Sequence, residues 1–139
     1  MRYLLFLLPS LCYANIPDEA IRTTSPVSIC TTSTSTLRDV PERVKKQVFI
    51  RDGGDLSRSG DYEVDHRVSL TVGGSNDITN LKLQSYNGKC NAHHKDKLEV
   101  RLHSLICKRT ITVPESQEYL YNNWEEGYKR FINPLGCNQ

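Results

Sequence analysis

The sequence predicts a small, disulfide-stabilised domain of the α+β class, with the order helix, hairpin, helix, helix. Three observations predict it. Hydrophobic residues recur first at helical, then at strand-like, then again at helical spacing. The 139 residues suffice for one domain with a modest core. Four cysteines follow a segment that has the features of an export signal, which favours a disulfide framework.

Residues 1–14 have the features of a cleaved signal peptide. Arg2 supplies a positive start, residues 4–11 form a short apolar run, and Cys12 and Ala14 are small residues at positions −3 and −1 of a cleavage point. The run is too short to span a bilayer, which takes roughly 20 apolar residues. We therefore expect a periplasmic or secreted protein with no membrane contact in its mature form. A buried N-terminal helix is the alternative.

Cleavage after Ala14 leaves the cysteines at positions 30, 90, 107 and 137. In an exported small domain they predict two disulfides, and the sequence alone permits three pairings. No two of them have the Cys-x-x-Cys spacing of a zinc knuckle, so a structural zinc site is disfavoured.

The first element after the signal is an irregular tether, residues 15–38, because residues 23–36 include ten Ser or Thr. A helix follows, in which Asp39 can cap and Pro41 fits the first turn. Its apolar stripe consists of Val40, Val44 and Val48, and Gly53-Gly54 ends it.

The spacing of apolar residues changes along the rest of the chain, and this change predicts a hairpin followed by two helices. Residues 62–72 and 81–86 are expected to be strands joined by a glycine-containing loop at 73–77. The next helix, 91–107, carries an apolar stripe of Leu98, Leu102, Leu105 and Ile106. The last begins at the capping box Thr112-x-x-Glu115 and carries Leu120, Trp124, Tyr128 and Phe131. We place the folded domain at 39–133 and a tail at 134–139.

The charge of the chain excludes a strongly basic nucleic-acid-binding protein. The formal net charge is +2, and loss of Arg2 with the signal leaves +1. Basic residues nevertheless concentrate between positions 80 and 110, at Lys82, Lys89, Lys95, Lys97, Arg101, Lys108 and Arg109. They form either a local phosphate-binding surface or an ordinary solvated helix face.

Four residue pairs occur in a characteristic order: Asp65-His66 at a strand end, Gly73-Gly74 in the loop, Asn80-Leu81 opening the second strand, and Cys90-Asn91 opening the helix. This ordered set resembles the HNH endonucleases, the ββα-metal nucleases, and small exported bacterial HNH proteins in particular. The resemblance implies a ββα-metal (HNH) core at 62–107, between an N-terminal and a C-terminal helix. It also implies the disulfides Cys30–Cys107 and Cys90–Cys137.

The resemblance also implies the roles of the site residues. His66 would be the general base that activates water, and Asp65 would bind a divalent metal. Asn80 would hold the loop so that His66 is positioned. Asn91 would be the second metal ligand, and its phase on the predicted helix places it on the apolar stripe. His94, at the edge of the stripe, is a candidate third ligand.

For each of these residues a structural role is the alternative: a strand-end pair for Asp65 and His66, a turn for Asn80, a helix cap for Asn91 and packing for His94. Lys95, Lys97 and Arg101 are candidate phosphate contacts, and Lys95 is alternatively an edge lysine. His93 faces away from the stripe and His103 is expected to be structural. Mg²⁺ is the expected metal, and Mn²⁺, Zn²⁺ and Ni²⁺ are alternatives that depend on the third ligand.

Together these features predict a metal-dependent endonuclease that hydrolyses phosphodiester bonds in DNA with low sequence specificity and leaves a 5′-phosphate. We expect a monomer without a partner protein, and RNA remains open as a substrate. The rival interpretations are a non-catalytic nucleic-acid-binding module and a secreted protein-interaction module on a ββα scaffold.

Overall fold

The computed structural model describes residues 14–137, which form five α-helices and one small sheet. In chain order they are α1 (Pro26–Thr31), α2 (Glu42–Arg51), β1 (Tyr62–His66), β2 (Leu81–Ser85), α3 (Ala92–Cys107), α4 (Val113–Asn122) and α5 (Trp124–Phe131). Short 3-10 helices lie at Asp18–Ala20, Thr34–Thr36, Leu56–Asp61, Leu70–Val72 and Ile78–Asn80. The mixture of helices with a two-stranded antiparallel sheet confirms the predicted α+β class.

The hairpin is shorter than predicted. Its strands pair from Tyr62 opposite Ser85 to His66 opposite Leu81, and pairing ends there instead of at position 72. The chain then turns back over itself through Gly73, whose φ of 91° lies in the left-handed region that suits glycine. A Cβ at Gly74 would lie 1.8 Å from the carbonyl oxygen of Val68, so only glycine fits beside this backbone. The loop that follows His66 is therefore a tightly folded structure.

The core lies on the apolar stripe of α3. Leu98 and Leu102 are fully buried and Ile106 is nearly so. This stripe packs against α5, α1 and the 3-10 turn Leu70–Val72. Burial of each such side chain contributes about 2 kcal/mol, so α3 is fixed firmly beside the hairpin.

Two helix boundaries differ from the prediction. Asp39 caps no helix; Pro41 is the N-cap of α2, without a side-chain bond, and the helix begins at Glu42. The last predicted helix is two helices, because Asn123 leaves the helical region at φ −158° and ψ 63° and its side chain accepts a bond from Glu126 N. An asparagine that caps a new helix is more favourable than one in a helix interior, which explains the break.

The predicted tether also contains structure. Pro26 stands in the first turn of α1, and Ser25 caps the helix by accepting a hydrogen bond from Ser28 N. Ile29 is buried in the main core. Residues that were expected to be irregular therefore contribute to the domain.

The structure confirms two disulfides, in the pairing that the family resemblance implied. Cys30 joins Cys107 with a Cα–Cα distance of 5.8 Å, and Cys90 joins Cys137 at 5.1 Å. Such bonds persist in oxidising compartments. Between residues 14 and 137 no helix is long and apolar enough to cross a membrane. The predicted signal peptide, apart from Ala14, and the last two residues of the predicted tail lie outside the described residues.

Candidate active site

Asn80 holds together the loop that follows β1. Its side chain is fully buried, and its Oδ1 accepts a hydrogen bond from Val68 N at 2.9 Å. Its Nδ2 donates to the carbonyl oxygens of Val68 and Ser75, both at 2.9 Å. One carboxamide thus fixes both sides of the loop that follows His66.

His66 ends β1, is only 2% exposed, and has a defined hydrogen-bond partner. Its Nε2 lies 3.0 Å from Oδ1 of Asn76. Two backbone contacts fix the orientation of the Asn76 amide: Nδ2 donates to Leu37 O at 2.6 Å, and Oδ1 accepts from Asp39 N at 3.3 Å. Because Oδ1 only accepts, Nε2 of His66 carries the proton, and the lone pair of the neutral ring lies on Nδ1.

The surroundings of His66 favour its neutral form. Burial lowers the pKa of the imidazole, while the hydrogen bond to Asn76 opposes this shift and the positive charge of Arg38 adds to it. A neutral ring with a free lone pair is a proton acceptor, which suits the predicted general base.

Lys95 connects the candidate residues of β1 to α3. Its side chain is 3% exposed, and its Nζ donates to Asp65 Oδ2 at 2.6 Å, to the carbonyl oxygen of His66 at 2.8 Å and to Glu99 Oε1. The three donors of the ammonium group are all used. The structure therefore differs from the predicted phosphate contact at Lys95: the buried lysine holds the end of β1 against α3.

Two carboxylates share this one ammonium group, and the pKa values of Lys95 and Glu99 reflect this arrangement. Burial disfavours the charge of Lys95, but the carboxylates of Glu99 and Asp65 outweigh burial and raise its pKa to about 12. Burial raises the pKa of Glu99 to about 7; Lys95 lowers it, and the charge of Asp65 adds to the rise. The negative charge of Glu99 is therefore disfavoured, and this carboxyl group keeps its proton to a higher pH than an exposed glutamate does.

Asn91 and His94 form a helix cap in which they bind each other. Oδ1 of Asn91 accepts from His93 N at 3.1 Å and lies 3.0 Å from Nδ1 of His94. The His94 ring also packs edge-on against Tyr128, with ring centroids 5.5 Å apart. Within residues 14–137 neither side chain makes a hydrogen bond with Asp65 or His66. Lys95 thus joins the Asp65 carboxylate to the backbone carbonyl of His66, the His66 ring makes no hydrogen bond with Asp65 within residues 14–137, and Asn91 and His94 form a separate pair.

The three predicted metal ligands, Asp65, Asn91 and His94, are not equally suited to bind a divalent metal as they stand. Oδ2 of Asp65 is bound by Lys95, whereas its Oδ1 makes no hydrogen bond within residues 14–137 and suits a hard cation. Asn91 and His94 fit only if they exchange their cap bonds for a metal bond. Among the described residues, no three His, Cys, Asp or Glu side chains form a ready-made metal cluster. A metal site would therefore begin at Asp65.

A cleft of about 200 Å³ opens beside Asp65, and we call it the hairpin cleft. One wall consists of Asp65, Arg67, Lys82 and Gln84 from the hairpin, and Lys95 closes it. The other wall is the junction of α4 and α5, formed by Leu120, Tyr121, Asn122, Asn123, Trp124 and Glu125. Asp65 can therefore be reached from solvent through this cleft.

The other predicted residues lie outside this cluster. Lys97 and Arg101 are exposed on α3, as a phosphate-binding role requires. His93 is exposed and stacks on Tyr86. His103 lies 3.4 Å from the carbonyl oxygen of Ile29 and holds α3 against α1, in agreement with its expected structural role.

Sequence reasoning missed Asn76 and Glu99. The Gly-Gly-Ser-Asn-Asp stretch suggested only a turn, and nothing in it indicated that Asn76 would meet His66. Glu99 follows Lys95 at the i, i+4 spacing of a helical ion pair, which was a usable signal. No protein-family model, curated protein or solved structure matches the chain, so its own geometry carries the functional interpretation.

Proposed function

We propose that the protein is a metal-dependent endonuclease of the HNH type that hydrolyses phosphodiester bonds in DNA with low sequence specificity. In this proposal β1, β2 and α3 form the ββα core. The observation that carries it is the neutral His66, whose Nδ1 lone pair is set by Asn76. The preceding residue of the chain, Asp65, has one carboxylate oxygen that makes no hydrogen bond within residues 14–137. A base and a metal-binding carboxylate on neighbouring residues are what phosphodiester hydrolysis requires.

In the proposed reaction, Nδ1 of His66 takes a proton from a water molecule. The water oxygen attacks phosphorus, the P–O3′ bond breaks, and the departing 3′ oxygen receives a proton from solvent. The products are a 5′-phosphate and a 3′-hydroxyl. A divalent metal, Mg²⁺ first and Mn²⁺, Zn²⁺ or Ni²⁺ as alternatives, would be held by Asp65, with Asn91 and His94 as further ligands. When bound, it supplies charge stabilisation for the departing oxygen.

The neighbouring side chains support this assignment as positioning residues. Asn80 fixes the loop behind His66, Asn76 fixes its tautomer, and Lys95 holds its backbone carbonyl. Such outer contacts keep a catalytic group within the narrow range of geometries in which it is effective.

The remaining expectations belong to the same proposal. Exposed Lys97 and Arg101 would contact phosphates, and contacts to phosphate carry no sequence information, hence the low specificity. The protein would act as a monomer in the periplasm or outside the cell, where its two disulfides persist. RNA remains an alternative substrate.

A non-catalytic binding module, for nucleic acid or for a protein, is the second candidate. The observation that favours it is the engagement of the candidate ligands: Lys95 occupies one oxygen of Asp65, and Asn91 and His94 bind each other. A protein that binds without catalysis needs no metal, so it would never have to break these contacts between Lys95 and Asp65 and between Asn91 and His94.

Plasmid cleavage separates the two candidates. Oxidised protein is incubated with supercoiled plasmid and Mg²⁺ or Mn²⁺, with and without chelator, beside His66→Ala and the control His93→Ala. We expect metal-dependent nicking that falls by at least about 100-fold in His66→Ala, since the base is lost. His93→Ala should cleave as the wild type does, because His93 is exposed. Cleavage that survives His66→Ala would refute the mechanism.

A further inference from the structure

We propose that the hairpin cleft binds one unpaired nucleotide of a nucleic acid, with Arg67 and Lys82 at its phosphate and Trp124 against its base. This inference rests on the proposed nuclease function and names the form of its substrate. Of the predicted phosphate contacts on α3, Lys97 and Arg101 do not line this cleft, and Lys95, which does, is already paired with Asp65 and Glu99. The cleft would therefore be a binding site additional to them.

The position of the cleft connects it to the proposed chemistry. Asp65 is part of its wall, so a bound nucleotide would lie beside the proposed metal-binding residue, whereas His66 is not among the residues that line the cleft. Lys82 stands directly opposite Asp65 in the strand ladder, and Arg67 follows two residues after Asp65. Two cationic side chains therefore accompany the carboxylate at one end of the hairpin.

Arg67 is held ready for an anionic ligand. Its Nε and Nη2 donate to the carbonyl oxygen of Tyr121 at 3.2 and 2.7 Å, and its guanidinium lies 3.8 Å from the centre of the Tyr121 ring. Its Nη1 makes no hydrogen bond within residues 14–137. A planar, fixed guanidinium with free donors is well suited to phosphate, because little side-chain entropy is lost on binding.

Lys82 adds a second positive charge. It is exposed and forms no ion pair within the described part of the chain. The third cation of the wall, Lys95, is already paired with Asp65 and Glu99, so it offers no donor to a ligand. The available positive charge in the cleft thus belongs to Arg67 and Lys82.

The opposite wall offers an aromatic surface. Trp124 is half-buried at the start of α5, and Gln84 across the cleft has a carboxamide without a hydrogen bond within residues 14–137. Stacking on an aromatic ring and hydrogen bonds to base edges are how proteins hold unpaired bases. At about 200 Å³ the cleft is smaller than a drug-sized pocket and suits a single base. A base within a duplex is already stacked and paired, so we infer a preference for single-stranded segments.

The sequence provides a direct probe, because Trp124 is the only tryptophan of the chain. We would titrate the full-length His66→Ala protein, in chelator, with a short single-stranded DNA and with a duplex of the same length, and record tryptophan fluorescence. The single strand should quench the signal to saturation at a Kd at least about tenfold lower than that of the duplex, since base stacking is available only to the unpaired strand.

Lys82→Met and Lys46→Met form a matched pair, because both lysines are exposed and neither makes an ion pair within residues 14–137. Lys82→Met should weaken binding and reduce the slope of log affinity against log salt by about 0.7, the value for one phosphate contact on a single strand. Lys46→Met should change neither quantity, since it lies on α2, outside the cleft.

The outcomes distinguish this inference from the proposed function. If a labelled strand binds without any change in tryptophan fluorescence, the proposal that the hairpin cleft binds the nucleotide is wrong, even if the wild type cleaves plasmid. Equal quenching by duplex would overturn the single-strand preference. Quenching that is weakened by Lys82→Met, in a protein whose wild type never cleaves, would support the cleft and refute the nuclease.

Discussion

Asn76 determines which nitrogen of His66 carries the proton, and its role is testable with one substitution. Asn76→Ala removes the acceptor of the Nε2 proton and frees the ring to rotate or to change tautomer. For the proposed nuclease we expect kcat for DNA cleavage to fall by about 10- to 100-fold, with KM nearly unchanged, because the proposed base is misplaced while substrate contacts remain. Steady-state kinetics on a labelled substrate would measure both.

The control for this prediction is Asn87→Ala, an identical change at an exposed turn position. It should retain wild-type kinetics. A rise in KM alone in Asn76→Ala would show that Asn76 contacts substrate and would contradict the positioning role. Circular dichroism of both variants would confirm that the fold is retained.

At the scale of the element, the loop between β1 and β2 depends on Gly74. Gly74→Ala would place a methyl group 1.8 Å from Val68 O and 2.8 Å from Nδ2 of Asn80, so the loop must open. We expect the free energy of unfolding to fall by about 3 kcal/mol, within the range typical of strained core positions. Urea unfolding monitored by Trp124 fluorescence would measure it.

Gly60→Ala is the matched control, because a Cβ there meets no atom within 4 Å and the residue has no positive φ. It should change stability by less than about 1 kcal/mol, in either direction. Equal losses in the two variants would mean that the close approach at Gly74 does not matter to the loop.

The sequence predicted those elements whose signals are local. The apolar period of α3 placed Leu98 and Leu102 in the core, and the glycine pair indicated the loop at Gly73-Gly74. Helix boundaries were less predictable. The apolar residues continue at helical spacing past Asn123, but the chain breaks there because the Asn123 side chain caps a new helix. At the site, Lys95 can be buried because it pairs with Asp65, 30 residues upstream, and with Glu99, 4 residues downstream. Only the pair with Glu99 has a helical spacing that could be recognised in the sequence.

At the scale of the whole molecule, Glu99 links stability to pH. Burial raises its pKa from 4.5 to about 7, so the folded protein binds this proton more tightly than the unfolded chain does. Its contribution to the free energy of unfolding is therefore complete below pH 4.5 and is lost as the pH rises through about 7. We expect a loss of up to about 3 kcal/mol from this group. Urea unfolding between about pH 5 and pH 8 would measure the slope.

Glu99→Gln removes the titrating group and keeps an acceptor for Lys95, so it should flatten this slope. Glu19→Gln is the control, since Glu19 is exposed and makes no ion pair within residues 14–137; its profile should follow that of the wild type. A stability that falls from pH 5 to pH 8 as steeply in Glu99→Gln as in the wild type would contradict the assignment.

The disulfide Cys90–Cys137 has a consequence for the cell that makes the protein. Cys90 directly precedes Asn91, which caps α3, so oxidation of this pair anchors the start of the helix that bears the proposed ligands. In a reducing cytoplasm this covalent anchor does not form. If the protein is the exported nuclease proposed above, its site would be completed only after export, and the DNA of the producing cell would be protected during synthesis by the reducing conditions of the cytoplasm.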